Sequence, residues 1–308
     1  MPNDTLAKEA RTGHAKQAPT VYGRGLRPYL YILPAFLVFV PFVLFPFLRA
    51  IQLSLFEWDG LNERTFVGLD NFTDAFTDPL VRTSFRNAFE LVLYIGVLPV
   101  CLGLAISAMS ASARVPGDTA LRTMIFLPQV IAGVVIGIAW RWIVAPNGPL
   151  NEALRSIGLD SFAKTWLGDS TWALPTIGLI GAWATTGLCV ALFNAGIQQI
   201  PGTLYEAAAV DGAGRVRSFF AVTLPGLRGP IAVALTLTVI GALRTFDLIF
   251  ITTKGGPGTS TYVPGMLIYN RAFGTNVNVG SSAAIAILLS VVVFTATYVI
   301  WRIGERKL

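Results

Sequence analysis

The stretch of chain between Asp169 and Glu206 contains no charged residue. One crossing of a bilayer core needs roughly 20 apolar helical residues, so this run is long enough to span a membrane. Proline interrupts a helix, and Pro175 and Pro201 therefore limit the predicted helix to residues 172–199. Hydrophobic residues make up 54% of the chain and charged residues 13%, against about 25% charged in soluble proteins. The sequence therefore predicts an integral membrane protein.

Six apolar segments meet the same length criterion, and they predict an all-α fold with six transmembrane helices. They cover residues 29–55, 91–113, 123–140, 172–199, 229–253 and 272–301. The fifth alone carries two charges, Arg244 and Asp247. The first follows a basic tail, but it is too long for a signal peptide and no cleavage site ends it, so we interpret it as an uncleaved helix.

Basic residues are unevenly distributed between the alternate segments that flank these helices. The set that includes both termini contains thirteen Lys and Arg residues, and the opposite set contains eight. Because basic residues accumulate on the cytoplasmic side, the count predicts cytoplasmic termini and places residues 57–85 outside. The net charge of +6 is spread thinly at the ends of apolar runs, so no nucleic-acid partner is expected.

A loop between the fourth and fifth segments reads IPGTLYEAAAVDGAGRVRSFFAVTLPGLRGP over residues 200–230. The sequence predicts a helix over residues 204–210, a turn at residues 211–214 and a second helix over residues 215–222, which Pro225 ends. Helices this short are not stable alone in water, because nucleation is costly. The pair therefore needs a partner surface, with a helix lying on the membrane surface as the alternative.

The loop resembles the signature loop of ABC importer permeases, whose pattern is E-A-A, three residues, G, nine residues, I, one residue and L-P. Val222 replaces the Ile, and six positions match: Glu206, Ala207, Ala208, Gly212, Leu224 and Pro225. In that family the loop is a coupling helix that docks into a groove on the ATPase subunit. The resemblance implies the type I ABC importer permease fold, and it implies an ATPase-coupling role for all seven residues together with Tyr205 and Asp211.

The matched residue types suit a docking helix. Ala207 and Ala208 let a partner backbone approach closely, and Gly212 permits the turn. Glu206 offers a carboxylate to a donor on the ATPase. The chain has no G-x-x-x-x-G-K-[ST] stretch, so ATP and Mg are expected on a partner ATPase and no cofactor is expected on this chain.

Three further segments resemble the carbohydrate branch of this family. They are FVGLDNF at residues 66–72, LPQVIAGVVIGIAWRWIVAPNGPLN at residues 127–151 and TFDLIFITTKGGPGTST at residues 245–261. The resemblance implies a multi-pass protein of the bacterial cell membrane that imports a sugar. It also implies its partners, which are a second homologous permease subunit, two ATPase subunits and an extracytoplasmic sugar-binding protein.

The resulting organisation places a permease core between two cytoplasmic tails. We expect a flexible tail over residues 1–28, a first transmembrane helix over 29–56, an external loop over 57–85, the core over 86–303 with a coupling loop over 200–228, and a second tail over 304–308.

Small and hydroxyl side chains recur on the fifth segment at positions i, i+3, i+4 and i+7. They are Thr238, Gly241, Ala242 and Thr245. Such a stripe is typical of tight helix packing. In the similar maltose permeases the same positions, with Asp247, line the sugar site, although asparagines stand there in place of Ala242 and Thr245.

Other candidate substrate residues lie around this stripe. The same resemblance adds Thr185 and Leu188 of the fourth segment. Trp140 and Trp183 are candidate platforms for a sugar ring, with ordinary packing as the alternative for both and interfacial anchoring as a further alternative for Trp140. Arg244 and Asp247 are one helical turn apart on the predicted helix, and they either form a structural ion pair or grip substrate hydroxyls.

Two other classes of function are weighed against this interpretation. An ion-coupled secondary transporter would use the intramembrane charges of Arg244 and Asp247 as a relay. A membrane enzyme would use Asp247 or Glu90 as an acid or base, but no histidine lies in the spans and no catalytic constellation accompanies them. Cys101 and Cys189 lie in apolar stretches, so neither a disulfide nor a metal site is expected.

Overall fold

The computed structural model describes residues 27–112 and 118–305 of the chain. All but the last two residues of the predicted tail over 1–28 lie outside this part, and so do residues 306–308 of the second tail. The chain divides into two units, Met1–Arg49 and Ala50–Leu308. We describe each by itself.

The first apolar segment is helical, as predicted. Helix α1 (Arg27–Phe39) continues through a π turn (Val40–Leu44) into α2 (Phe45–Leu53). The π turn contains Pro41, which lacks the N–H that a regular helical ladder requires. A candidate membrane span therefore covers Leu30–Leu53.

A short ordered region follows in the second unit. Strand β1 (Phe56–Glu57) pairs antiparallel with β2 (Thr65–Phe66), so a small ribbon is added to the all-α architecture that the sequence predicts. The Asp59 carboxylate accepts hydrogen bonds from the backbone N–H groups of Leu61 and Asn62, which closes the turn between the strands. These bonds lower the pKa of Asp59 below its usual value, because they favour the ionised form.

The second span begins earlier than predicted. After α3 (Asp70–Thr77), helix α4 (Pro79–Leu91) runs through a π turn (Val92–Val97) into α5 (Leu98–Ser112). The apolar segment 91–113 covers only about the last two thirds of this helix. Its first turns are polar and escape a hydropathy criterion, whereas Asp78 caps them by accepting a 2.7 Å hydrogen bond from the N–H of Leu80.

The third apolar segment, predicted as a span over residues 123–140, forms two helices and not one continuous helix. Helices α6 (Asp118–Val130) and α7 (Gly133–Ile143) meet at an angle of 108°. Ala132 between them has an extended backbone, which no helix can continue through. Helix α8 (Pro149–Ser156) and a 3₁₀ turn (Asp160–Phe162) follow outside this pair.

The fourth segment forms the central helix, α9 (Ala173–Ile197), within two residues of the predicted 172–199. Glycines bring its neighbours very close. A Cβ atom added to Gly178 would lie 2.6 Å from Cβ of Tyr94, and one added to Gly187 would lie 2.5 Å from the carbonyl oxygen of Ile125. Small residues of this kind let membrane helices pack backbone to backbone.

The chain then enters the loop over residues 200–228, which forms three short helices and one π turn. They are α10 (Gly202–Val210), α11 (Arg215–Ser218), the π turn (Phe219–Thr223) and α12 (Leu224–Gly226). The prediction that Pro225 ends the second helix is wrong, because Pro225 stands in the first turn of α12, where a missing N–H costs little. The helical path turns by 70° only at Leu227.

The predicted fifth span is also interrupted. Helix α13 (Arg228–Leu243) ends at a break over residues 244–246, and α14 (Asp247–Thr252) begins after it. Buried side chains from at least four helices pack in one cluster at this region, among them Leu91, Ile177, Ala242 and Ile249.

The last segment begins later than the predicted residue 272. Helix α15 (Pro264–Phe273) is separate, and α16 (Val279–Glu305) supplies the long apolar helix. Four helices of the described chain are long and apolar enough to cross a membrane, and the two bent pairs raise this number to as many as six.

Candidate functional site

The loop over residues 200–228 is a helix–turn–helix unit, as the sequence predicts. Gly212 occupies the turn with φ +73°, a left-handed conformation that favours glycine. The two arms are joined by a hydrogen bond of 3.0 Å between the hydroxyl groups of Tyr205 and Thr223. Thr223 is only 6% exposed, and it stands at an unspecified position of the signature, so nothing in the sequence pattern marks it.

The first arm presents its side chains outward. None of the residues of α10 is buried, and Glu206, Ala207 and Asp211 are exposed. Ala208 is half-buried. Large apolar side chains are also exposed along the loop, with Val210 at 88% and Phe220 at 61%. An exposed apolar surface of this kind in a structured loop is typical of a site that another protein covers.

The C-terminal residues of the signature lie on the inner side of the loop. Val222, Leu224 and Pro225 are half-buried. Val222 and Pro225 line a cleft of about 430 Å³ together with Ile200. They therefore connect the exposed arm to the membrane helices instead of facing outward.

A larger cavity of about 770 Å³ separates the loop from the end of α5. Tyr205, Ala209, Arg215 and Phe219 line it on the loop side, and Met109 lines it on the side of α5. The loop therefore packs against the membrane helices through Val222 and Pro225, whereas this cavity separates Tyr205 and Ala209 from α5.

The small-residue stripe of the predicted fifth span does not face one way. Thr238 is 2% exposed and donates a hydrogen bond of 2.8 Å to the carbonyl oxygen of Gly96. Ala242 is buried as well. Gly241 is exposed, with open space where a Cβ would stand, and Thr245 is half-buried. The prediction of one continuous stripe is wrong, because α13 ends at Leu243, before Thr245, which was to be the fourth member of the stripe.

The two charges stand on either side of the helix break. Arg244 and Asp247 are both exposed, and in the described chain they form no ion pair with each other. Their one-turn spacing was projected along a helix that the break interrupts. The structural ion pair is therefore excluded as an account of these two residues in this structure.

Two tryptophans that are far apart in sequence lie in contact. The rings of Trp140 on α7 and Trp183 on α9 are 5.4 Å apart between centroids, with 71° between their planes. Trp183 is 44% exposed. Thr185 and Leu188 on the same helix are half-buried, and the Thr185 hydroxyl donates to the carbonyl of Gly181 at 2.7 Å.

Among residues 27–112 and 118–305, no cluster of three His, Cys, Asp or Glu side chains could hold a metal ion. At the break, Arg244 and Asp247 are exposed and Thr245 is half-buried, and Trp183 on α9 is also exposed. Such a set offers hydrogen bonds and an aromatic face, which are the contacts that a small polar ligand requires.

Comparison with family models matches residues 102–308 to the family described as "Binding-protein-dependent transport system inner membrane component". The chain is 37% identical over 271 residues to the probable ABC transporter permease protein YurN of Bacillus subtilis, covering 86% of this chain and 91% of that protein. It is 31% identical to the diacetylchitobiose uptake system permease protein NgcF of Streptomyces coelicolor, with coverages of 87% and 79%. It is 33% identical to the trehalose/maltose transport system permease protein MalF of Thermococcus litoralis, with coverages of 91% and 94%.

Solved structures show the same fold. One chain of a bacterial ABC transporter involved in the import of the acidic polysaccharide alginate matches with a TM-score of 0.78 at 24% identity, over 91% of this chain and 95% of that chain. A complex of the alginate transporter with an alginate pentasaccharide-bound periplasmic protein gives a TM-score of 0.79 at 23% identity, with coverages of 91% and 94%. The chain belongs to the family of inner membrane components of binding-protein-dependent transport systems.

Proposed function

We propose that this chain is the transmembrane permease subunit of an ATP-driven sugar importer and forms half of its translocation pathway. The printed names of relatives support the substrate class, because NgcF and MalF are named for diacetylchitobiose and for trehalose and maltose. The chain itself carries transport and not catalysis in this proposal.

The exposed signature helix α10 is the observation that carries the coupling role. It presents Glu206 and Ala207 outward, while Val222 and Pro225 hold the second arm against the membrane helices. A rigid arm with one free face and one anchored face can transmit motion of a docked partner to α13. Tyr205, Ala208, Asp211 and Gly212 complete this coupling surface, and Leu224 belongs to the anchored arm.

The proposal requires partners in a bacterial cell membrane. Two ATPase subunits bind ATP and Mg, a second homologous permease completes the pathway, and an extracytoplasmic binding protein delivers the sugar. In the proposal each of the two bent helix pairs counts as one span, so that six spans put both termini on the same side, and the distribution of Lys and Arg favours the cytoplasmic side. Alternating access then follows if each partner binds one conformation more tightly than the other, since equal affinity shifts nothing.

The substrate site in this proposal is the region around the break in the fifth span. Thr245, Arg244 and Asp247 offer polar groups to sugar hydroxyls, and Gly241 leaves room beside them. Trp183, held by Trp140, offers an aromatic face. Buried Thr238 and Ala242 support the site from behind, with Thr185 and Leu188 on the adjacent helix.

The test replaces Glu206 with alanine in the assembled transporter. We expect Glu206→Ala to lower sugar uptake and the yield of ATPase subunit that co-purifies with the chain, because the donor on the ATPase loses the carboxylate that accepts its hydrogen bond. Glu152→Ala is the matched control, since Glu152 is also exposed on a short helix but lies outside the loop. Unchanged uptake and unchanged co-purification in Glu206→Ala would contradict the docking assignment.

Energy coupling separates this proposal from an ion-coupled secondary transporter. Uptake by the assembled complex in proteoliposomes should require ATP inside and persist when a protonophore removes the ion gradient. Uptake that follows the gradient without ATP would support the secondary transporter.

A further inference from the structure

Four aromatic rings form a continuous row beside the break in the fifth span. Phe246, Phe250, Tyr269 and Phe273 constitute this row, which we call the aromatic row. The ring centroids of Phe246 and Phe250 are 5.2 Å apart, and Tyr269 lies 5.5 Å from the first and 5.2 Å from the second. The ring of Phe273 follows Tyr269 at 5.6 Å. Every ring thus contacts the next.

The spacing of residues on α15 produces this arrangement. Gly265, Tyr269 and Phe273 are four residues apart and share one face of the helix. A Cβ atom added to Gly265 would lie 3.3 Å from Cβ of Phe246, so the missing side chain lets α15 approach the break closely. Burial then decreases along the row, because Phe246 and Phe250 are half-buried, Tyr269 is 38% exposed and Phe273 is 76% exposed.

The row begins at the proposed substrate residues. Phe246 stands between Thr245 and Asp247 in the chain, and the carbonyl of Thr245 lies 3.8 Å from the position of a Cβ on Gly265. From there the row follows α15 to its last residue. It therefore extends from the candidate substrate site to the end of a helix that precedes the final span.

Helix α15 is held firmly at this far end. Arg271 forms an ion pair with Asp78, the residue that caps α4, and it also donates to the hydroxyl of Ser281 on α16. These contacts lie on the side of α15 away from Tyr269 and Phe273. The aromatic face is thus a fixed surface that the ion pair positions.

We propose that the aromatic row is an outer sugar-binding subsite, which leads a di- or oligosaccharide to the break in the fifth span. This inference rests on the proposed function. A pyranose ring offers an apolar C–H face to an aromatic ring, and two adjacent exposed rings, Tyr269 and Phe273, accept two linked sugar units. The Tyr269 hydroxyl makes no hydrogen bond within the described chain and is available to a sugar hydroxyl. Phe246 and Phe250 contact the Tyr269 ring on its more buried side and hold it in place.

Accessibility in the assembled importer tests the position of the row without a known sugar. The variants are Tyr269→Cys and Phe273→Cys in a Cys101→Ser background, with Cys189 left in place because it is buried. We expect both new thiols to react with a charged, membrane-impermeant maleimide, because a sugar path is filled with water. Phe294→Cys on α16, exposed to 69%, is the control that should stay unlabelled in the bilayer. Unlabelled Tyr269→Cys and Phe273→Cys would mean that lipid or the second permease covers the row, which overturns the proposal.

Sugar uptake tests the ligand. The probes are radiolabelled trehalose, maltose and diacetylchitobiose, supplied with the cognate binding protein to proteoliposomes. We expect Tyr269→Leu and Phe273→Leu to raise the KM of uptake about tenfold with little change in assembly of the complex. We also expect the transported sugar to slow maleimide labelling of Tyr269→Cys and Phe273→Cys. Phe76→Leu on α3, exposed to 67%, is the matched control and should leave KM unchanged.

The outcomes separate this inference from the proposed function. Unchanged KM in both leucine variants, with labelling that sugar does not slow, overturns the subsite while leaving the importer intact. An unaltered complex that takes up no sugar under ATP overturns the proposed function, and the subsite fails with it.

Discussion

The Thr238 hydroxyl on α13 donates a hydrogen bond of 2.8 Å to the carbonyl oxygen of Gly96, in the π turn of the second span. Both residues are buried, and they are 142 positions apart in the sequence. A carbonyl oxygen has two lone pairs and can accept this second donor beside its own helix. The bond therefore ties two membrane helices together at a depth where water does not compete.

We expect Thr238→Val to lower the stability of the assembled transporter by about 1 kcal/mol, the magnitude of interhelical hydrogen bonds in membranes. The measurement is the midpoint of thermal aggregation in detergent. Thr236→Val is the matched control, because the Thr236 hydroxyl donates to Ala232 within the same helix and joins no neighbour. Equal losses in both variants would contradict an interhelical role.

The sequence predicts α9 well and the broken spans poorly, for a physical reason. A hydropathy criterion detects a long apolar helix such as residues 172–199, because every turn of it is apolar. It cannot detect the extended backbone at Ala132, since apolar residues continue through that point. At the break after Leu243 it shows only that two charged residues, Arg244 and Asp247, lie within an apolar segment, and not that the helix ends there. Whether the backbone breaks at such a point depends on how the helices pack, for example α7 against α14. Packing of this kind exists only in the folded chain, so a hydropathy criterion does not detect it.

Gly212 and Gly214 form a matched pair for the turn of the coupling loop. Neither has an atom within 4 Å of an added Cβ, but only Gly212 has a left-handed backbone. We expect Gly212→Ala to cost about 1 kcal/mol and to reduce sugar transported per ATP, because an L-residue is strained at this φ. Gly214→Ala should transport normally. Transport and ATPase assays in proteoliposomes give this ratio, and equal behaviour of the two variants would exclude backbone strain as the cause.

The hydroxyl bridge between Tyr205 and Thr223 should make the coupling loop rigid. A net hydrogen bond contributes about 1 kcal/mol, so Tyr205→Phe should loosen the two arms and increase the ATP consumed per sugar. Thr223→Val should have the same effect, and the double variant should be no worse than either, because the two changes remove one bond. Additive effects on the ATP-to-sugar ratio would argue against the bridge. Tyr298→Phe, which removes a hydroxyl contact with Arg302 on α16, is the control.

Asp247 is a polar residue at the break, and its replacement should alter the choice of substrate without affecting assembly. It is exposed and makes no ion pair within the described chain, so Asp247→Asn should leave assembly intact while changing the relative uptake of trehalose, maltose and diacetylchitobiose. Asp70→Asn is the control, since Asp70 is also the exposed first residue of a short helix. Loss of the assembled complex in Asp247→Asn would indicate a structural role instead.

The candidate sites were predictable to different degrees. The coupling loop is local in sequence, so its residues could be identified from spacing, although Thr223 was missed because its partner Tyr205 lies eighteen positions away. The substrate residues depend on which faces of α13 are covered. Thr238 and Gly241 are both small residues of the predicted stripe, and only the three-dimensional packing separates the buried residue from the exposed one.

The glycines of α9 bear on how this chain can change over generations. At Gly178 and Gly187 the neighbouring helices leave less room than one methyl group requires. Any amino-acid substitution there adds at least that group and forces the neighbouring span away. In a population under random mutagenesis, heat-sensitive alleles should therefore accumulate along this one helix, while exposed positions outside the coupling loop tolerate change.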